Sequence, residues 1–264
     1  MKEKILNNLN AECPWRDTLH WYEVTDSTNT QAKLLARNGA PHGSVLIAGL
    51  QTGGRGRMGR SFHSPAGMGI YLSVILRPDC LPSQLMHLTC AAGVAMMDAV
   101  EQVSGIRPQV KWINDLVING KKLGGILTEM SVNQGSVDYA VIGIGINCLQ
   151  AEADFHPEIA GLATSLSLAA GKVIAPEKLA AAMVEALWNM SHILFSEKAQ
   201  LMATYKANCI TLGKEIQVIR GAKILPGKAV DLDEDGGLTV FYPDGTTETV
   251  SSGEVSVRGM YGYL

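Results

Sequence analysis

Three arginines and four glycines share the ten residues Gln51-Thr-Gly-Gly-Arg-Gly-Arg-Met-Gly-Arg60. Glycine lets a backbone approach an anion closely and leaves successive N–H groups free to form an oxyanion nest. Arginine adds a permanently charged, forked donor suited to phosphate or carboxylate. The chemistry on offer is therefore anion binding. The flanks agree: from Ser27 to Pro78 there is no Asp or Glu, while Lys33, Arg37, Arg55, Arg57, Arg60 and Arg77 give that stretch a net +6 in a chain whose total is -3. Against this stands the plainer reading of a solvated Gly-rich loop. Gly54-x-Gly56-x-x-Gly59 also matches a dinucleotide fingerprint in form. No helical pattern opens after it, so that context fails.

A second group is Lys111-Trp-Ile-Asn-Asp115, followed by Lys121-Lys122-Leu-Gly-Gly-Ile-Leu127. A lysine near a hairpin can neutralise charge developing on a phosphoryl or carboxylate oxygen. Asn114 carries both a donor and an acceptor for a base edge. Asp115 could orient a lysine or contact Mg²⁺ beside bridging phosphates. Taken singly, each of these residues also fits a solvated turn. A third group, Gly143-Ile-Gly-Ile-Asn147, ends an apolar strand. Its glycines admit either a ligand against the backbone or tight internal packing.

Other candidates fall away. Asp231-x-Asp233-x-Asp235-Gly236 starts like an EF-hand loop, but Tyr242 occupies the position that needs Glu. The six histidines form no His-Glu-x-x-His pattern, and there is no nucleophile elbow or Walker A segment. Trp112 and Trp188 read as core residues.

Elements must position these groups. Leu19–Val24, Ser44–Leu50 and Gly69–Arg77 read as strands. Asp26-Ser27-Thr28 offers N-cap chemistry for a helix that ends at Gly39. Leu85, Leu88, Ala92, Ala95, Ala99 and Val103 predict a helix with one apolar face, capped at Ser83. Short strands follow at 109–112, 116–118, 125–130 and 137–144, with Asn119-Gly120 as a two-residue hairpin turn. Leu179 to Leu201 keep a helical period. From Gly213 the texture becomes short strands separated by Gly, Pro and Asp, a small barrel-like β module.

Composition sets the frame. The chain has 264 residues, 47% apolar and 18% charged, enough for a core and too apolar for broad disorder. Its 22 basic and 25 acidic residues make no bulk case for nucleic-acid binding. Five scattered cysteines argue against a disulfide framework or a cysteine zinc site. The apolar run Leu88–Val100 is too short to span a bilayer, and Met1–Cys13 lacks a signal-peptide core. The expectation is a soluble cytoplasmic protein.

Together, Asp26-Ser-Thr-Asn29, Gln51-x-x-Gly-Arg-Gly-Arg-x-Gly-Arg60, Lys111-Trp-x-Asn-Asp-Leu116, Lys122-Leu-x-Gly-Ile-Leu127, Gly143-x-Gly-Ile-Asn147 and Ser252-Gly-Glu-Val-Ser-Val-Arg258 resemble the biotin protein ligases. The resemblance covers about residues 20 to 258. It implies an α/β (α+β) fold: a mixed-sheet catalytic domain over 1–212 and a small SH3-like barrel over 213–264. It implies two reactions. Biotin and ATP, with Mg²⁺, give biotinyl-5′-AMP and pyrophosphate; a lysine of a biotin carboxyl carrier domain then takes the biotinyl group.

By resemblance, Lys122 and Arg57 are catalytic. Ser27, Thr28, Asn29, Gln51, Arg55, Gly56, Arg57 and Lys122 bind biotin. Arg57, Arg60, Phe62, Asn114 and Asn147 bind the nucleotide, and Asp115 is a candidate Mg²⁺ contact. A homodimer through a sheet edge is expected from the family. Met58, Phe62 and Ile113 depart from its usual pattern, which has a polar or basic residue, tryptophan and proline there. A lipoate–protein ligase or octanoyltransferase shares the fold and is the alternative. For the second, Cys148 lies outside any recognisable acyl-acceptor pattern. A biotin-responsive DNA-binding repressor is disfavoured, since only about 20 residues precede the catalytic region, too few for a helix-turn-helix.

Overall fold

The computed structural model describes residues 1–251 and, for the backbone alone, 256–259. Residues 252–255 of the Ser252–Arg258 motif lie outside the described residues. In chain order the elements are α1 (Lys2–Asn8), β1 (Leu19–Tyr22), α2 (Thr28–Arg37), β2 (Ser44–Ala48), β3 (Gly69–Leu76), α3 (Leu88–Ser104), β4 (Gln109–Lys111), β5 (Asp115–Ile118), β6 (Lys121–Asn133), β7 (Ser136–Asn147), α4 (Leu166–Ala170), α5 (Pro176–Ile193) and α6 (Lys198–Ala207).

The seven strands form one sheet in the order β1-β2-β3-β7-β6-β5-β4. Only β1 and β2 run parallel; the other pairs are antiparallel, so the sheet is mixed. Its centre is apolar on both faces. Every residue of β2 and β3 is buried. One face, with Val45, Leu72 and Ile142, packs into the core shared with α3 and α5. The other, with Leu46, Ile75 and Val141, packs on Ala32 and Ala36 of α2. The expected Asn119-Gly120 turn is present, both residues adopting positive φ (50° and 73°), as a type I′ hairpin requires.

Three expectations need correction. The helix capped at Ser83 is instead a 3-10 turn at Pro82–Leu85, and α3 starts at Leu88. Nor is α3 one-faced: 13 of its 17 residues are buried, because small Ala and Gly between the large residues let it sink between sheet and helices. The period from Leu179 to Leu201 is interrupted between Ile193 and Lys198, giving two helices.

The C-terminal strands are β8 (Glu215–Arg220), β9 (Lys223–Leu232), β10 (Leu238–Phe241), β11 (Thr247–Val250) and β12 (Ser256–Gly259). They form an antiparallel sheet in the order β11-β10-β9-β8-β12. Ile216, Val218, Leu238 and Val240 share one apolar core with α3 and α6. Trp112 Nε1 donates to Gly236 O at 2.8 Å, and Lys198 pairs with Asp235 at 2.6 Å. The module thus holds the segment that leads into β5.

Candidate active site

The site begins at the N-terminus of α2. Ser27 occupies the N-cap position, but its side chain makes no capping bond and lines the cavity instead. The Thr28 amide donates to Gln51 Oε1 at 2.8 Å, and the Thr28 hydroxyl reaches the same oxygen at 3.1 Å. Gln51 Nε2 in turn donates to Ser64 Oγ at 2.9 Å. This chain of bonds fixes the base of the arginine–glycine loop to the helix.

Asn29 turns inward. Its amide donates to Leu127 O at 3.2 Å and Glu129 Oε2 at 3.1 Å, and its oxygen accepts from Ser73 at 2.6 Å. Glu129 also receives Lys33 at 2.7 Å and Arg55 at 3.4 Å. Burial pushes the Glu129 carboxyl up. The bonds from Lys33 and Asn29 and the charges of Lys33 and Arg55 outweigh it and hold the group below its ordinary value.

The loop folds back on itself. The Gly56 amide donates to Arg60 O at 2.7 Å and that of Phe62 to Gly54 O at 2.9 Å. Met58, exposed at the tip, sits in the left-handed region at φ 54°. Arg57 points inward and approaches Asn114 Oδ1 at 3.4 Å. Burial lowers its guanidinium pKa, Asp115 opposing and Arg60 adding. Arginine stays charged all the same.

Across the cavity, Asn114 is clamped to β6: its side-chain amide donates to Ile126 O at 3.0 Å and its backbone carbonyl accepts from Ile126 N at 2.8 Å. Lys122 Nζ pairs with Asp115 Oδ1 at 2.6 Å and lines the cavity. Its neighbour Lys121 lies 4.0 Å from exposed Glu152, outside the cavity lining. Successive strand residues face opposite sides, which separates the two lysines.

A second cavity of about 620 Å³ meets the first at Ser61, Phe62 and Lys122. It falls in the usual range for small-molecule sites. Asn147 lies here rather than in the first cavity, its amide donating to Thr164 O at 3.1 Å. The glycines of β7 prove to make room for side chains. A Cβ on Gly143 would meet Asn29 Oδ1 at 1.8 Å, and one on Gly145 would meet the Phe62 ring at 2.4 Å.

The first cavity therefore gathers Ser27, Thr28, Asn29, Gln51, Arg55, Gly56, Arg57, Arg60, Phe62, Asn114, Asp115 and Lys122. Sequence reading missed Ser73 and Glu129. Ser73 carried a signal: it is a small polar side chain in the apolar run Gly69–Leu76. Glu129 carried none, since its partners lie 74 to 100 positions away. No group of three His, Cys, Asp or Glu among the described residues could cage a metal. No helix among them is long and apolar enough to cross a membrane.

Comparison with known proteins agrees with this geometry. Residues 21–147 match the biotin/lipoate A/B protein ligase family, and residues 211–258 match the biotin protein ligase C-terminal domain. The chain is 35% identical to a biotin–[acetyl-CoA-carboxylase] ligase of Mycobacterium tuberculosis, over 94% of this chain and 91% of that protein. It is 47% identical to a bifunctional ligase/repressor, BirA, of Bacillus subtilis over 59% of this chain; that match spans about half of the relative, 48%. A solved biotin protein ligase from Aquifex aeolicus, in complex with biotin and ATP, superposes with a TM-score of 0.76 at 28% identity, covering 92% of this chain and 99% of that one.

Proposed function

The chain belongs to the biotin/lipoate A/B protein ligase family, and from that premise we propose that it is an ATP-dependent biotin protein ligase. One observation carries the reading. Arg57, Asn114 and the Lys122–Asp115 pair converge on a single cavity whose other end is built from Ser27, Thr28 and Gln51. That layout suits a neutral, hydrogen-bonding ring at one end and two reacting anions at the other.

In the first step a biotin carboxylate oxygen attacks the α-phosphorus of ATP, the bond to the β-phosphate breaks, and pyrophosphate leaves. Two anions must meet, so the protein's task is charge neutralisation and positioning. Lys122 and Arg57 neutralise the carboxylate and the α-phosphate. Asp115 steers Lys122, and Asn114 steers Arg57. Ser27, Thr28, Asn29 and Gln51 hold the ureido ring, while Arg55 and Gly56 close the loop over the carboxylate. In the second step a lysine amine of a biotin carboxyl carrier domain attacks the anhydride carbonyl. AMP leaves and the amine gives up a proton.

Nucleotide and metal follow from the same chemistry. Arg60, Phe62 and Asn147 face the nucleoside, which extends beyond Lys122 into the second cavity. A Mg²⁺ ion entering with ATP would be held mainly by its phosphates, as Mg²⁺ prefers. Asp115 would be the carboxylate in contact with it. The ion would supply further charge neutralisation on the phosphates.

Residues 1–212 serve as the catalytic domain and 213–264 as a second, supporting domain, in a cytoplasmic protein that pairs as a homodimer. Nucleic acid is no part of this reading. Of the cations in the acid-free segment, Lys33 and Arg55 pair with Glu129 and Arg77 with Asp138. These pairs offset part of the segment's charge within the protein. The test is transfer. With ATP, biotin and a carrier domain, the carrier should gain one biotinyl group on its lysine. Labelling with lipoate in place of biotin would assign the alternative activity.

A further inference from the structure

The turn that carries the chain from β4 into β5 is Trp112-Ile113-Asn114, with Lys111 and Asp115 paired across its base. It contains neither Gly nor Pro, the two strongest turn formers. Its shape is held from outside. Trp112 N donates to Thr211 Oγ1 at 2.9 Å, and Asn114 is clamped to Ile126 of β6. Between these anchors the Ile113 backbone oxygen, which can only accept, receives the Tyr205 hydroxyl at 2.9 Å.

Tyr205 comes from α6, 92 positions along the chain, and is fully buried. Gly93 of α3 makes room for its ring: a Cβ there would approach Tyr205 Cε2 at 3.2 Å. A ring packed this closely fixes where its hydroxyl sits. Burial holds the phenol well above its ordinary pKa, so the hydroxyl keeps its proton and stays a donor. Asp115 and Arg57 both act on that phenol, the first raising its pKa and the second lowering it.

The Ile113 oxygen shares one rigid peptide plane with the Asn114 nitrogen. Anchoring the oxygen therefore fixes the direction in which the chain enters Asn114 and Asp115. Asn114 Oδ1 meets Arg57, and Asp115 Oδ1 meets Lys122. We propose that Tyr205 is a positioning residue for the activation step: its hydroxyl holds the turn through Ile113 O, and the turn aims Asn114 at Arg57 and Asp115 at Lys122. The inference rests on the proposed ATP-dependent function. It gives a role in the reaction to a residue that lines neither cavity and lies outside every motif singled out in the sequence.

Tyr205→Phe keeps the ring and removes the hydroxyl. Biotin-dependent pyrophosphate exchange, measured well below the Tm of each variant, separates positioning from packing. In Tyr205→Phe, kcat should fall about tenfold, since a displacement of about 1 Å can cost about a hundredfold. KM for biotin should stay within about twofold, the pattern of an interaction that matters in the transition state. Ser104→Ala is the control. It takes a buried side-chain bond, to Val100 O at 2.7 Å, from the end of α3, and should lower Tm with kcat unchanged. An unchanged kcat in Tyr205→Phe overturns the proposal, as does an equal fall in Ser104→Ala. Should Tyr205→Phe not fold, Thr211→Val decides in its place: it frees Trp112 N in the same turn, and an unchanged kcat there overturns the proposal. These results leave the proposed function standing, because the wild type still exchanges. No exchange by the wild type would overturn that function and this inference with it.

Discussion

Lys121 and Lys122 are adjacent, identical in type and opposite in environment. Lys122 meets Asp115 inside the cavity; Lys121 lies beside an exposed glutamate. Lys122→Ala should therefore lower the rate of adenylate formation by about a hundredfold or more, the scale of a lost charge-stabilising donor. Lys121→Ala should leave it within about twofold, since exposed pairs contribute little. A rapid-quench measurement of biotinyl-AMP compares the two, and equal losses would refute the assignment. At this scale the sequence was informative where residue types are restrictive. The Arg-Gly block and the Lys-Trp-x-Asn-Asp block name their chemistry. Glu129 was silent because a carboxylate in a strand means nothing until Asn29, Lys33 and Arg55 are folded against it. Gly143 and Gly145 left a choice between room for a ligand and tight packing; they make room for Asn29 and Phe62, which shape the site in turn.

Among the elements, the loop at 54–62 carries an exposed tip at Met58. Its inward cations, Arg57 above all, gain their strongest partners only when anions fill the cavity. Trypsin should cut after Arg57 readily in the free protein and at least about tenfold more slowly with bound biotinyl-AMP, since loops of this kind open locally at low cost. Equal cleavage rates would argue that the loop is already closed. Strands were legible because β2, β3 and the middle of β7 are rich in branched apolar residues. Helix boundaries were less so. The period seen in α3 counted Leu88, Ala92, Ala95, Ala99 and Val103 and passed over Cys90, Ala91, Gly93 and Met97, all buried. Local spacing reports one face of a helix, and the packing of a second face is decided by distant elements.

For the molecule as a whole, the near-neutral charge hides an internal division. A segment of six cations and no acids folds so that Lys33, Arg55 and Arg77 meet acids from β6 and β7. The two sheets are joined by a single apolar core and by Trp112, whose indole reaches Gly236. His87 sits near this junction, fully buried, its Nε2 donating to Leu194 O at 2.8 Å and its Nδ1 without a partner among the described residues. Burial holds its pKa below the ordinary value; the bond to Leu194 and Asp235 oppose, and Lys198 adds to the lowering. The unfolded chain takes up a proton as pH falls through about 6.5, while the native state resists until a lower pH. The stability of the neutral native form is thus full above that value and declines below it. The Tm of the wild type should drop more between pH 7 and pH 5 than that of His87→Gln, even if the variant starts lower. Parallel curves would remove His87 from the account.

Activation of biotin by ATP, before any carrier protein is present, is the central claim. Exchange of labelled pyrophosphate into ATP measures it with only the purified chain, Mg²⁺, ATP and the acid under test. Biotin should drive exchange, lipoate should not, and Lys122→Ala should abolish the biotin-dependent signal. Exchange driven by lipoate alone, or none with either acid in the wild type, would contradict the account.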